Sequence, residues 1–438
     1  MRPRLLPVTL LIAGVLLLTA VAVTPTVLRS TRPSAGGAPA AVAAQKATRL
    51  ETAINAAQQR LRRVPKDWSA WAQLGSAYVQ QARITADPSY YPKAQDALQR
   101  SLELASATNW QAMVGMGALA NARHDFLGAL DWGRRAQQVN PSNGSVYGVI
   151  ADALTQLGQY PQARDAVQQM LNVSPGVSSF TRASYDFEEH GQVAQARDAL
   201  NRALREATDP SDIAFCRYYL GELAFNNGDL LEARDQYQAG LAADPSYHIL
   251  DAGLAKVDAA SGHTGKAIDE YDHVVQLLPL PQLVVEYGDV LTSAGQRAKA
   301  TRQYDLFATE QQLFTANGVA DHLTSATFHA DHGQPAQSLA EAQAEWNARH
   351  SVLAADALAW ALYRNGQHTQ ALTYSTTATS LGWRNATFLY HRGAIEASLG
   401  QIDQARTDLN DALTINPHFD IVQAPAARQL LTSLGGQK

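Results

Sequence analysis

Apolar residues recur at helical spacing, in short stretches each closed by a glycine or a proline. Residues 48–64 predict an amphipathic helix with Leu50, Ile54, Ala57 and Leu61 on one face. After it the stretches come in pairs. A glycine ends the first helix of each pair, and an alanine follows five residues later inside the second. Gly158 is followed by Ala163, Gly191 by Ala196, Gly228 by Ala233, and Gly262 by Ala267. Gly295 is followed by Ala300, Gly366 by Ala371, and Gly400 by Ala405, while Ser338 takes the alanine's place after Gly333. Successive glycines lie 33, 37, 34, 33, 38, 33 and 34 residues apart. Such a period marks stacked helix–turn–helix units, none of which buries its apolar face alone.

The other marked positions carry a resemblance to a known family. Trp71, Leu74, Gly75 and Tyr78 form a first-helix signature, and Ala129, Ala136 and Pro141 mark a second helix and its end. Pro175, Pro245, Pro279 and Pro417 recur at the same place in later units. In these positions the chain resembles the tetratricopeptide repeat family. The resemblance implies an all-α, right-handed superhelical solenoid of about ten units over residues 67–417. Small residues would sit where paired helices cross, because close approach of two backbones leaves no room for larger ones. Residues 45–66 read as a capping helix, and 418–438 as a C-terminal cap whose helix spans 425–434. The first unit's turn holds an insertion, Arg83 to Pro92. Extra residues also stand around Thr208–Ser211 and along the helix through Tyr304, Phe307, Leu313 and Phe314, where the superhelix would bend or hinge.

The N-terminus has a different pattern. Arg2 and Arg4 precede an uncharged run from Leu5 to Leu28, closed by Arg29 and Arg32. As a helix this run would be roughly 36 Å long, against about 30 Å for a bilayer core. Residues 1–28 therefore read as a signal anchor, with a cleaved signal peptide as the alternative, since Ala20-Val21-Ala22 is a passable cleavage site. Residues 29–44 read as a flexible linker. The expected location is a bacterial cell membrane, single-pass, with the repeats extracytoplasmic; after signal cleavage the protein would be secreted.

Composition narrows the function. Apolar residues make up 46% and charged residues 17%, the balance of a folded chain. The formal net charge is -5, and the basic N-terminus leaves an acidic body, which argues against nucleic acid as a partner. The 28 arginines against seven lysines, with abundant alanine, fit a GC-rich bacterial genome. Cys216 is the only cysteine, so no internal disulfide can form; it reads as a small buried side chain.

Catalytic motifs are missing. Gly262-His-Thr-Gly-Lys266-Ala267 resembles the tail of a phosphate-binding loop but lacks its first glycine and the hydroxyl that would hold magnesium. No G-x-S-x-G, H-E-x-x-H or C-x-x-C sequence occurs. The chain is thus read as a non-enzyme without cofactor. His322, His329 and His332 fall near one helical face and are weak candidates for a metal site.

The resemblance places partner binding in a concave groove lined by first helices. Carried over, its positions are Arg182, Tyr185, Glu188 and Glu189, then Tyr218, Tyr219, Glu222, Phe225 and Asn226. Lys256 follows, then Glu286 and Asp289, then Asp356, Trp360, Tyr363 and Arg364, and last Tyr390 and His391. The groove would be acidic and aromatic, fit for a cationic or aromatic-bearing segment. Alternatively, its rings pack between neighbouring helices. The function expected is a membrane-tethered scaffold binding a protein or peptide partner; the alternative is an accessory protein handling a metal or small ligand through the C-terminal histidines.

Overall fold

The computed structural model describes residues 39–435, with side chains from Leu50 onward. The described residues form twenty-two helices. The first is α1 (Pro39–Arg63), which begins inside the segment expected as linker. Ten pairs follow. Units one to three are α2 (Trp68–Thr85) with α3 (Tyr90–Leu104), α4 (Trp110–Ala122) with α5 (Phe126–Val139), and α6 (Gly144–Gln156) with α7 (Tyr160–Val173). Units four to six are α8 (Val177–Glu189) with α9 (Val193–Glu206), α10 (Pro210–Asn226) with α11 (Leu230–Ala243), and α12 (Ile249–Ala260) with α13 (Thr264–Leu277). Units seven and eight are α14 (Pro281–Ser293) with α15 (Arg297–Ala316) and α16 (His322–Asp331) with α17 (Pro335–Ala348). Units nine and ten are α18 (Val352–Arg364) with α19 (His368–Ala378) and α20 (Ala386–Ser398) with α21 (Ile402–Ile415). The cap α22 (Gln423–Ser433) starts two residues earlier than expected, with Asp420 accepting from the Gln423 amide. The apolar run Leu5–Leu28 lies outside the described residues, among which no helix is long and apolar enough to cross a membrane.

Local chemistry sets the helix ends. First helices start on side-chain caps: Asp67, Asn109, Asp321, Ser351 and Asn385 each accept from an amide three residues on. At the turn inside each unit the chain enters the left-handed region, with Gly158 at φ +75°. There the Gln159 amide folds back onto the Leu154 carbonyl at 2.9 Å. The paired helices then cross on fully buried alanines such as Ala129, Ala196, Ala267 and Ala405. At Gly221 even a methyl group would lie 2.2 Å from the Tyr237 ring.

The solenoid coils back on itself within its own length. Bonds that join its successive coils span 191–193 residues. The Tyr160 hydroxyl accepts from the Val352 amide at 2.8 Å, and the Asn416 side-chain amide donates to the Phe225 carbonyl at 2.7 Å. Buried Arg349 donates both to Glu345 and to Gln156 on the other coil. The turn inside unit three thus abuts the junction of units eight and nine.

This closure explains the irregular segments. The expected insertion at Arg83–Pro92 is divided between the last turn of α2, ended by Ala86 at φ +53°, a short connection, and the first residues of α3. Ala86 is buried in the same apolar cluster as Ile249, Leu283 and Val284, so unit one reaches across to units six and seven. The extra length of α15 carries Phe314, and Val319 beyond it, onto the apolar cluster of the first units. It fastens the coils where a bend or hinge was expected. The extra residues near Thr208 form the first turn of α10, with Asp209 as its cap.

Candidate functional site

The first helices of units three to seven turn one face inward, and the second coil roofs it. Between them lies a cavity that opens to solvent at its mouth. From α8 come Arg182, Tyr185 and Glu188; from α10 Tyr218, Tyr219, Glu222, Phe225 and Asn226. Lys256 on α12 and Glu286 on α14 extend this wall, and Asp152, Thr155 and Gln156 on α6 of unit three lengthen it at the other end. The roof is Trp383 to Thr387, at the junction of units nine and ten, with Asn416 and Phe419. These roof residues carry no periodic signal. They reach the cavity only because the solenoid closes, so repeat positions alone do not find them.

Several inward residues already have partners. Arg182 is 5% exposed and grips Asp152 through two bonds of 2.7 Å. Lys256 Nζ lies 2.8 and 2.7 Å from the two Glu222 oxygens and 4.6 Å from the centre of the Phe225 ring. The Tyr237 hydroxyl also donates to Glu222. Glu188 accepts from the Asn226 amide at 3.3 Å, and Glu286 from the Tyr271 hydroxyl at 3.0 Å. Burial pushes the Glu188 carboxyl up to about 7, with Glu222 adding to the rise and Asn226 opposing it. Burial likewise pushes Glu286 up to about 7 against the pull of Lys256. Tyr218 and Tyr219 stand edge to face, centroids 5.2 Å apart.

Other groove positions are not in this cavity. Glu189 is buried behind it, and burial beside Asp186 holds its carboxyl well above the usual range. Asp289 is buried and accepts from the Tyr304 hydroxyl. Trp360 and His391 are 1% and 0% exposed, their rings stacked at 4.0 Å. His391 Nδ1 is 2.9 Å from Asp356, and Trp360 donates to Asp331 at 2.8 Å. Tyr363 stacks on Trp360, Arg364 sits over the same ring, and Tyr390 is buried against Phe419. In units nine and ten the expected groove wall is therefore packing between neighbouring first helices. The alanines of α18, from Ala354 to Ala361, are all nearly or fully buried and let those helices approach closely.

The histidines do not converge. His329 meets Glu341 at 2.6 Å, whereas His332 turns to the Phe328 carbonyl and to Asp289. Exposed His322 stands at the first position of α16. Among the described residues no group of three His, Cys, Asp or Glu side chains has a metal-holding arrangement. The metal-handling alternative therefore loses its ligand set. Cys216 is fully buried, and burial pushes its thiol up to about 12.

The raised carboxyls set a pH dependence. Glu188 and Glu286 bind their protons more tightly folded than unfolded, so their effect on stability is most favourable below about 4.5 and declines as pH rises to about 7. We expect Glu188→Gln/Glu286→Gln to be stabilised relative to the parent at pH 8, by roughly 1–3 kcal/mol, and to differ little at pH 4.5. Urea midpoints at the two pH values measure this. A variant that gains nothing at pH 8 would show these carboxyls to be well solvated.

The tetratricopeptide repeat family model matches residues 181–248 and 357–418, which hold units four and five and units nine and ten. Among curated proteins, the chain is 25% identical over 199 residues to the cellulose synthase 1 operon protein C of Komagataeibacter xylinus. That match takes in 43% of this chain and spans only 14% of the relative's length. A solved tetratricopeptide repeat protein of Thermus thermophilus is 19% identical, covering 43% of this chain and 98% of its own, with a TM-score of 0.38. The human IFIT1 dimer with PPP-AAAA is 16% identical, covering 76% of this chain and 78% of its own, with a TM-score of 0.45. Paired helices crossing on alanine, turns at glycine in the left-handed region and the matched family model together make this chain a tetratricopeptide repeat protein.

Proposed function

We propose that this protein is a membrane-tethered, extracytoplasmic scaffold that holds a segment of a partner protein in the cavity between its two coils. Tetratricopeptide repeats are typically non-catalytic and generally bind protein partners. The observation that carries the reading is the cavity itself. It gathers inward positions of five consecutive first helices, α6 to α14, under a roof from the second coil. Rings give contact area at small entropic cost, and carboxylates choose the sign of the partner's charge. The apolar run Leu5–Leu28 supplies the tether. A roofed site with one open mouth takes a side chain or a chain end better than a long extended peptide lying in an open groove.

The test places a photocrosslinking amino acid at Tyr218, in the full chain and in its own membranes. A control label goes at Leu231, which is 78% exposed on α11. A discrete partner adduct from Tyr218 and none from Leu231 is expected. Adducts from Leu231 alone would move the site to the outer surface. Recovery of the full-length chain in the soluble fraction would remove the tether.

A further inference from the structure

We infer that the cavity receives the side chain of a lysine from the partner polypeptide. This rests on the reading that the cavity is the binding site. The argument is an inventory of charge. Asp152, Asp186, Glu188, Glu222 and Glu286 line the cavity, against the cations Arg182, Lys256 and Arg384; Asp186 is paired with Arg164, and Arg384 is exposed on the roof. The ammonium of Lys256 is held by both oxygens of Glu222. Arg182 also lines the cavity, but its guanidinium is fixed on Asp152 by two bonds. Glu188 and Glu286 are left with neutral donors, an amide and a phenol. A buried carboxylate that lacks a cation is costly, and a cation entering beside it removes that cost. Their carboxyls, raised to about 7, register the same shortage.

The walls select the kind of cation. Phe225 already presents its ring face to an ammonium, that of Lys256 at 4.6 Å. Tyr218, Tyr219 and Trp383 extend the aromatic lining along which a methylene stem can lie. A bare metal ion has no place among these rings, and no described group of three ligands would hold one. An anion would enter a lining with five carboxylates against three cations, two of which are already paired. Between the two basic side chains, lysine fits better. Glu188 and Glu286 stand on separate helices, so a compact ammonium with three rotatable donors can address them singly. A guanidinium fork needs one carboxylate presented flat.

Calorimetric titration of the full chain in detergent tests this. The probes are a capped Ala-Ala-Lys-Ala-Ala peptide, the same peptide with its lysine acetylated, and 1,5-diaminopentane. The lysine peptide should bind saturably, the acetylated peptide at least tenfold more weakly. Glu188→Gln/Glu286→Gln should weaken the lysine peptide by tenfold or more with its thermal midpoint at or above the parent's. Equal binding of both peptides, or no loss in the double variant, overturns the inference. Binding of the diamine without the lysine peptide also overturns it, in favour of a free amine. If Tyr218 crosslinks a partner while no amine binds, the cavity reading stands and the lysine inference falls. If the lysine peptide binds but no partner is crosslinked, the scaffold reading fails instead.

Discussion

Gly158→Ala/Gly191→Ala should uncoil the superhelix, while Gly366→Ala/Gly400→Ala should leave it closed. All four glycines occupy the same turn with φ between +69° and +75°. Alanine there costs about 1–2 kcal/mol per site from backbone strain alone, in either pair. The surroundings differ. A methyl group on Gly158 would lie 2.3 Å from the His350 carbonyl oxygen, and one on Gly191 would lie 2.4 Å from that of Gly382. Both obstacles are backbone on the other coil, so they cannot swing aside. At Gly366 and Gly400 nothing lies within 4 Å. The first pair must push the coils apart, and with them the Tyr160–Val352 bond and the Arg349 bridge to Gln156. Small-angle scattering should show a larger radius of gyration for the first pair only, and any ligand of the roofed cavity should be lost with it. Identical scattering from both pairs would mean that the coils touch without holding each other.

That contrast also marks how far the sequence alone could be read. Eight glycines recur 33 to 38 residues apart in one conformation, because each unit needs the same left-handed turn. Nothing in the spacing tells that three of them, Gly158, Gly191 and Gly228, also serve as contact points for the other coil. Repeat register is local and therefore legible. The pitch of a superhelix sums small rotations over many units, so the meeting of residues some 190 positions apart leaves no periodic trace. The groove residues divide along the same line. Tyr218, Glu222 and Lys256 reach the cavity because their first helices face open space, whereas Trp360 and His391 hold equivalent positions and are sealed between neighbours. Which occurs depends on how closely adjacent first helices approach, a property of whole units. The closure also changes the site from an open groove to a chamber, with Trp383 and Phe419 as a roof that repeat positions do not indicate.

Arg182 gives the second large effect, because a groove position and a structural ion pair predict opposite outcomes. If Arg182 served to read a partner, Arg182→Leu would weaken binding and leave stability alone. In the structure its guanidinium is 5% exposed, paired with Asp152, and anchored by a further bond of 3.0 Å to the Ser178 carbonyl. Removing it strands a buried carboxylate, for which a loss of roughly 3–5 kcal/mol is expected. The loss should be smaller in acid. Burial already pushes the Asp152 carboxyl up to about 6 against the pull of Arg182, and without that pull it rises further. Below that value Asp152 takes a proton and sheds its charge, so Arg182→Leu should be markedly less damaging at pH 5 than at pH 8. Asp152→Leu/Arg182→Leu removes both charges and should recover most of the stability at either pH, since a buried pair is often worth little more than apolar side chains of its size. Urea midpoints for the three proteins at two pH values measure all of this. Full stability of the single variant at pH 8 would free Arg182 to act on a ligand and would add a cation to the cavity, weakening the case for a lysine as its guest.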